Sequence, residues 1–293
     1  MPIRFFVTCV VTVLLTSSLS AQDQLQWKLR SNEQLKYTVV QNMESTTVFG
    51  DESIKSSFNQ AIDMSWKILA VGADGNIQLH QVFDRVRLKM MGGPAGLIEF
   101  DTASRTTPES PVIKALADVF GNIVGQQFQV AMASSGQVSH VKVPEQLLTA
   151  VRESAAGQSN ALTEEMLVDM MKQSAVLLPQ RTVRPGDTWQ TEQNVQMPFG
   201  KMTITSAMTY KQKDTMGNAI IDFVPTVKIT PREGASTQMT LNNAIGNGRV
   251  IFDIDRGRLN KTQLDLTMQM TMNVNGQKLP QTIHNRTSMT LVP

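Results

Sequence analysis

Met268, Met270 and Met272 stand two residues apart in one β-patterned run, the sharpest chemical spacing in the chain. Side chains two apart in a strand share a face. Three thioethers would therefore line up, and thioethers select soft ions such as Cu(I). The plainer reading is a buried strand face. Leu264, Leu266 and Val274 continue the same phase, alternating with Gln263, Asp265, Thr267, Gln269, Thr271 and Asn273. Met commonly fills irregular apolar space. The expectation is an apolar ligand surface on Leu264, Leu266, Met268, Met270 and Met272. Cu(I) held by Met268, Met270 and Met272 is the alternative.

The other chemical spacings are weaker. Ser139 and Lys142 spell the S-x-x-K of serine acyl enzymes. That chemistry needs the pair one helical turn apart, and here the residues lie in a strand pattern that turns them to opposite faces. His80, His140 and His284 are isolated and lack the ligand spacing of a zinc site. Asp253 and Asp255 before Gly257 lack the further oxygens and distal Glu of a calcium loop, so a hairpin turn is expected. The sequence has no G-x-S-x-G, H-E-x-x-H or phosphate-binding glycine loop. No catalytic residue, cofactor or resident metal is expected, and an enzymatic role ranks last.

Thr182 to Trp189 resembles the opening of a LysM peptidoglycan-binding module, over these eight residues only. That module continues in two short helices, whereas Gln190 to Met197 is polar and strand-like.

Composition narrows the partners. Lys and Arg total 27 against 25 Asp and Glu, with no basic block, so a nucleic-acid partner is not expected. The N-terminus reads as a secretory signal. Arg4 supplies the positive region, Phe5 to Leu15 the apolar core, and small residues lead to cleavage near Ser20 or Ala21. The apolar run is short for a membrane span, and no second one follows. The expectation is a secreted or periplasmic protein with no transmembrane insertion once the signal is removed. Cys9, the single cysteine, lies in the signal. The mature chain therefore has no disulfide or thiolate, and its core alone must hold it.

The chain divides into a signal over 1–21 and a β-rich region over 22–293. Within that region the pattern predicts a first β unit over 22–103, helices with a β hairpin over 104–180, and a second β unit over 181–293. Leu25 to Asp101 reads as antiparallel strands. Ile77 and Leu79 are in one apolar phase and Val86, Leu88 and Met90 in the other. One extra residue near Val82 to Asp84 must be absorbed, which predicts a β-bulge. Ser110-Pro111 predicts a helix start and Gly125 its end. Pro144 opens a second helix with Leu147, Leu148 and Val151. Thr163, with Glu164 and Glu165 in the first turn, opens a third. Its expected face is Met166, Met170, Ser174 and Leu177, with Leu167 and Met171 beside it. Asn275-Gly276 predicts a hairpin that sets Met272 opposite Leu279, Met268 opposite Ile283 and Thr267 opposite His284. Met64-Ser-Trp-Lys67 echoes Met208-Thr-Tyr-Lys211, and the segment around Gly136 echoes that around Gly257.

These features resemble a family of exported bacterial proteins of unknown function. The carrying residues include Trp66-Lys67, Arg85-Val86-x-Leu88-Lys89-Met90, Ile98-Glu-Phe-Asp101, Ser135-Gly-Gln-Val138, Leu177-Leu-Pro179, Gly186-Asp-Thr-Trp189 and Phe252-Asp253. The resemblance implies export and a β-rich fold, and transfers no site. The fold expected is mainly β with α insertions. Long curved antiparallel sheets of half-barrel type are expected, with about three amphipathic helices in mid-chain, and the internal echoes fit either two pseudo-repeated β units or independent hairpins that share turn chemistry. The function expected is that of a non-enzymatic envelope protein that binds a lipid or other apolar small molecule. The alternatives are Cu(I) binding and a structural or protein-interaction module.

Overall fold

The computed structural model describes residues 22–92, 96–104, 111–149, 164–172, 175–197, 200–232, 237–274 and 276–293. Residues 1–21, expected as a signal, the expected caps Ser110 and Thr163, and Asn275 lie outside them. So do Val151 and the side chains of Met166, Met170 and Ser174.

Long alternating runs dictate long strands. The first six are β1 (Gln34–Phe49), β2 (Glu52–Val71), β3 (Ile77–Met91), β4 (Ile98–Asp101), β5 (Gln127–Met132) and β6 (Val138–Lys142). They are followed by β7 (Thr188–Met197), β8 (Gly200–Lys213), β9 (Asn218–Pro231), β10 (Thr237–Asp253), β11 (Arg258–Val274) and β12 (Gln277–Val292). All twelve join one sheet in the order β6-β5-β3-β2-β1-β12-β11-β10-β9-β8-β7, with β4 beside β3. The strands are antiparallel, and β1 pairs with β12 over residues far apart in the chain. Helices α1 (Pro111–Ile123) and α2 (Glu164–Lys172) and a helical turn over 145–149 lie in mid-chain. The half-barrel class of sheet with short helices is thus the observed one. The two series β1-β2-β3-β5-β6 and β7-β8-β9-β10-β11 run through the sheet in the same neighbour order.

The edge strands β6 and β7 do not pair, and α2 packs against both. Leu167 and Met171, one turn apart, are its fully buried stripe. The predicted hairpin register is observed at Met272–Leu279, Met268–Ile283 and Thr267–His284. The predicted bulge falls at Asp84, where Asp63 and Met64 pair with Arg85 and Phe83. Ser65 Oγ donates to the Asp84 carboxylate at 3.1 Å.

Two segments differ from the expectation. Leu25 to Leu29 carries strand-like alternation yet leaves the sheet and crosses its interior. Leu25, Trp27 and Leu29 are at most 4% exposed there. The Trp27 amide donates to the Ser134 carbonyl at 2.8 Å and the Lys28 amide to the Gly257 carbonyl at 2.9 Å. The turn after β5 and the turn after β10 therefore grip the segment from two sides. Strand β11, expected from Leu264, starts at Arg258. Ile251 and Phe252 pair with Lys261 and Leu259, leaving Asn260 as an extra residue. That bulge shifts the apolar phase from Leu259 to Leu264, which hides the first turn of the strand from a period-two reading.

One buried cluster takes side chains from both series, including Tyr37, Trp66, Phe128, Tyr210, Ile221 and Phe252. Trp27 sits at its centre, with ring centroids 5.5 Å from both Trp66 and Phe252. Its Nε1 donates to the Val176 carbonyl at 3.1 Å.

Glycine is required where the turns meet this segment. Gly257 has φ +60°, and a Cβ there would lie 2.3 Å from the Lys28 amide nitrogen. Gly50 has nearly the same φ, +59°, with nothing within 4 Å. Gly257→Ala should therefore cost about 2–4 kcal/mol, the left-handed conformation plus overpacking. Gly50→Ala should cost only about 1 kcal/mol. Urea unfolding of both variants checks this, and equal losses would contradict the packing argument.

Candidate functional site

Cross-strand pairs share a face, so the register assigns every side chain to the face that holds the core, here the inner face, or to the outer one. Along β11 the inner face carries Leu264, Leu266, Met268, Met270 and Met272. The five expected residues therefore do line one surface. Leu266 and Met270 are buried, and Leu264, Met268 and Met272 half-buried. Met270 forms a separate apolar cluster with Met239 and Ile283, against which Met43, Ile229, Leu241, Met268 and Met272 pack. Met43 and Met239, from β1 and β10, thus bring the thioethers of this cluster to five. His284 sits on the outer face, where its Nδ1 lies 2.9 Å from Thr267 Oγ1. Ser139 and Lys142 are in strand β6, and His80 and His140 are on β3 and β6. Among the described residues no group of three His, Cys, Asp or Glu could hold a metal ion.

A second apolar wall lies across the sheet. Val86, Leu88 and Phe100 are buried against Phe58, Ile62 and the α1 residues Ile113, Ala117 and Phe120. The Phe100 and Phe120 rings are 6.0 Å apart. Between the two walls, β2, β1 and β12 present Gln60, Gln41 and Thr287 in one row, then Phe58, Met43 and Asn285, then Ser56, Ser45 and Ile283, then Ile54, Thr47 and Gln281, so amides and hydroxyls form a ribbon interleaved with apolar side chains. Gln41 Nε2 donates to Asn285 Oδ1 at 2.9 Å, and the hydroxyls of Ser45 and Ser56 lie 2.7 Å apart. Sequence reading missed this ribbon. Its signal was an amide standing in the apolar phase, Gln41 between Val39 and Met43 and Asn285 between Ile283 and Met289.

Charge falls on the other face. From Val39 to Phe49, Glu52 to Ile62, Leu264 to Val274 and Gln277 to Thr287, Glu52 is the one ionisable residue at an inner position among the described residues. The outer face carries cross-strand ion pairs, Arg87–Asp63 at 2.8 Å, Lys89–Glu99 at 2.8 Å, Arg249–Asp222 at 2.7 Å and Arg286–Asp265 at 3.0 Å. The Arg85 guanidinium grips both Asp101 oxygens, and this hydrogen bonding holds the carboxyl down at about 2. These exposed pairs stabilise little individually. Their consistent placement keeps the inner face neutral.

Two clefts lie elsewhere. One of about 620 Å³ opens beside β7 and is lined by Leu177, Pro179, Arg181, Trp189 and Glu192. One of about 500 Å³ is lined mainly by outer-face residues such as Asn42, Arg87, Lys89 and Asp101.

Residues 74–287 match the model of a family of unknown function, DUF6263. The chain belongs to this family. No curated protein matches it. The chain has distant likenesses among solved structures. One, solved for lipid–protein interactions in lipovitellin, has 10% identity and a TM-score of 0.48 over 91% of this chain and 26% of that one. This chain therefore spans about a quarter of the lipovitellin chain. The COG4313 outer membrane channel from Pseudomonas putida F1 has 6% identity and a TM-score of 0.25, covering 91% of this chain and 97% of that one. A DUF1329 family protein from Desulfovibrio piger ATCC 29098 has 11% identity and a TM-score of 0.15, covering 85% and 83%. At these values the likenesses assign nothing to the site. No helix among the described residues is long and apolar enough to cross a membrane.

Another tightly held carboxylate, Asp23, lies outside the ribbon. Burial pushes the Asp23 carboxyl up, but hydrogen bonds from Lys213 Nζ at 2.7 Å and Tyr210 Oη at 2.6 Å outweigh it. The group is held below its ordinary 3.8. Because the folded value is depressed, the contribution is complete above about pH 4 and lost as pH falls through the folded value. The urea midpoint of the native chain should exceed that of Asp23→Asn by a constant gap from pH 7 to about pH 4, closing at lower pH. A gap unchanged at pH 2 would show that the carboxylate charge is not its source.

Proposed function

We propose that this protein is exported to the cell envelope, where it binds a lipid or other apolar small molecule on the inner face of its sheet and catalyses no reaction. The observation that carries the reading is the neutral inner surface between the two apolar walls, with every nearby ion pair on the opposite face. From Gln41 to Thr47 that surface runs about 20 Å along the strand. Burying an apolar chain there is favourable at about 25 cal/mol per Å². The Met side chains let the wall adapt to different chains. Export rests on the features of residues 1–21.

Native mass spectrometry of the mature chain from an envelope fraction should detect an adduct of lipid mass that is lost on denaturation. Met268→Lys puts an unpaired cation on the half-buried inner wall and should abolish the adduct. Gln269→Lys, one residue on and exposed on the outer face, should retain it. A bare native chain, or equal loss in both variants with both still folded, would refute the reading.

A second reading, Cu(I) binding, is favoured by the five methionines packed in one cluster. If it holds, replacing Met268, Met270 and Met272 together by Leu should weaken Cu(I) binding at least about tenfold in a chelator competition, by loss of soft ligands. An unchanged affinity would dispose of it.

A further inference from the structure

The amide and hydroxyl ribbon points to the chemistry of the ligand. Resting on the apolar-ligand reading above, we infer that the inner face selects an uncharged lipid whose ester or hydroxyl groups lie on Gln41, Gln60 and Asn285. The ribbon occupies three neighbouring strands, β2, β1 and β12, and so is about 10 Å across. Apolar side chains flank it, Leu88 and Phe100 beneath α1 on one side and Leu266, Met268 and Met270 on the other, and Phe58 and Met43 stand within it. A polar centre with apolar flanks fits a molecule whose linkage is polar and whose chains diverge from it.

The ribbon has hydrogen-bonding capacity to spare. An amide side chain offers two N–H donors and an acceptor oxygen. Gln41 gives Nε2 to Asn285, and Asn285 Nδ2 donates to Thr287 Oγ1 at 3.3 Å. The side-chain amides of Gln60 and Gln281, half-buried in the same ribbon, make no hydrogen bond to other described residues. Ester carbonyls and hydroxyls can pair with these groups at ordinary strength. An ionised phosphate or carboxylate would instead lose water against neutral amides. The cations of these strands, Lys36, Lys55, Lys67, Lys278 and Arg286, all stand at outer-face positions, as do Arg87 and Lys89 on neighbouring β3, which pair with Asp63 and Glu99. Burying a charge without its counterion costs far more than burying an ester.

The test uses the delipidated mature chain and phosphatidylcholine vesicles containing a minor fraction of either dioleoylglycerol or dioleoylphosphatidylglycerol. Protein is recovered from the vesicles and its lipid quantified. Dioleoylglycerol should be retained at least about tenfold over the anionic lipid. Gln41→Leu with Asn285→Leu should lower its retention about tenfold, as expected for the loss of hydrogen bonds to a buried group. Gln60→Leu, which removes no hydrogen bond to a described residue, keeps the test valid if the double variant fails to fold. It should lower retention in the same direction. Equal retention of the two lipids, or full retention by folded variants, overturns the uncharged-lipid inference while leaving apolar binding standing. Retention of neither lipid overturns both.

Discussion

The fold depends on burying one short segment, Leu25 to Leu29, inside the curve of the sheet. It belongs to no strand, yet its backbone is satisfied by carbonyls of the turns after β5 and β10, and its side chains fill the space between the two meanders. A curved sheet of this breadth must bury its inner face against something. At this end the chain supplies the filling from its own N-terminal part. Trp27 combines the two requirements. Its ring packs on Trp66 and Phe252, and its indole N–H finds the Val176 carbonyl. A large aromatic buried with its polar atom paired is among the more stabilising side chains a core can hold.

Toward the other end, α1 packs on the inner face over β2, β3 and β4, and beyond it the character of that face changes. The fully buried aromatics give way to methionines, aliphatics and uncharged amides in half-buried positions. The strands are continuous through both regions, so hydrogen bonding does not distinguish them. What differs is what the inner side chains meet. This is the physical basis for placing a ligand there.

Single-residue insertions keep the pattern consistent along strands of this length. Asp84, Asn242, Asn260 and Lys211 are each the extra residue at a register shift. Each one flips the phase, bends its strand and increases local twist. Without those in β3, β10 and β11, a strict alternation would carry Arg85, Arg249 and Asp265 onto the inner face. With them, Arg87–Asp63, Lys89–Glu99, Arg249–Asp222 and Arg286–Asp265 all fall on the outer face.

The sequence by itself determined what is local. Period-two alternation identified the strands, and the Asn-Gly turn set the β11–β12 register to the residue. The phase change in β3 located its bulge near Asp84, because a turn or a pleat is decided by a few adjacent residues. It also placed Leu264 to Met272 on one face. Only the tertiary structure decided what is non-local. The β1–β12 pairing joins the two meanders and sets Gln41 beside Thr287 and Asn285, and nothing in either strand alone names the other as partner. The same holds for Leu25 to Leu29, whose alternation suits a strand but whose fate was settled by an interior that needed filling. Met43 and Met239 join the β11 methionines for the same reason. Their separation along the chain is erased by strand order, a property of the whole sheet.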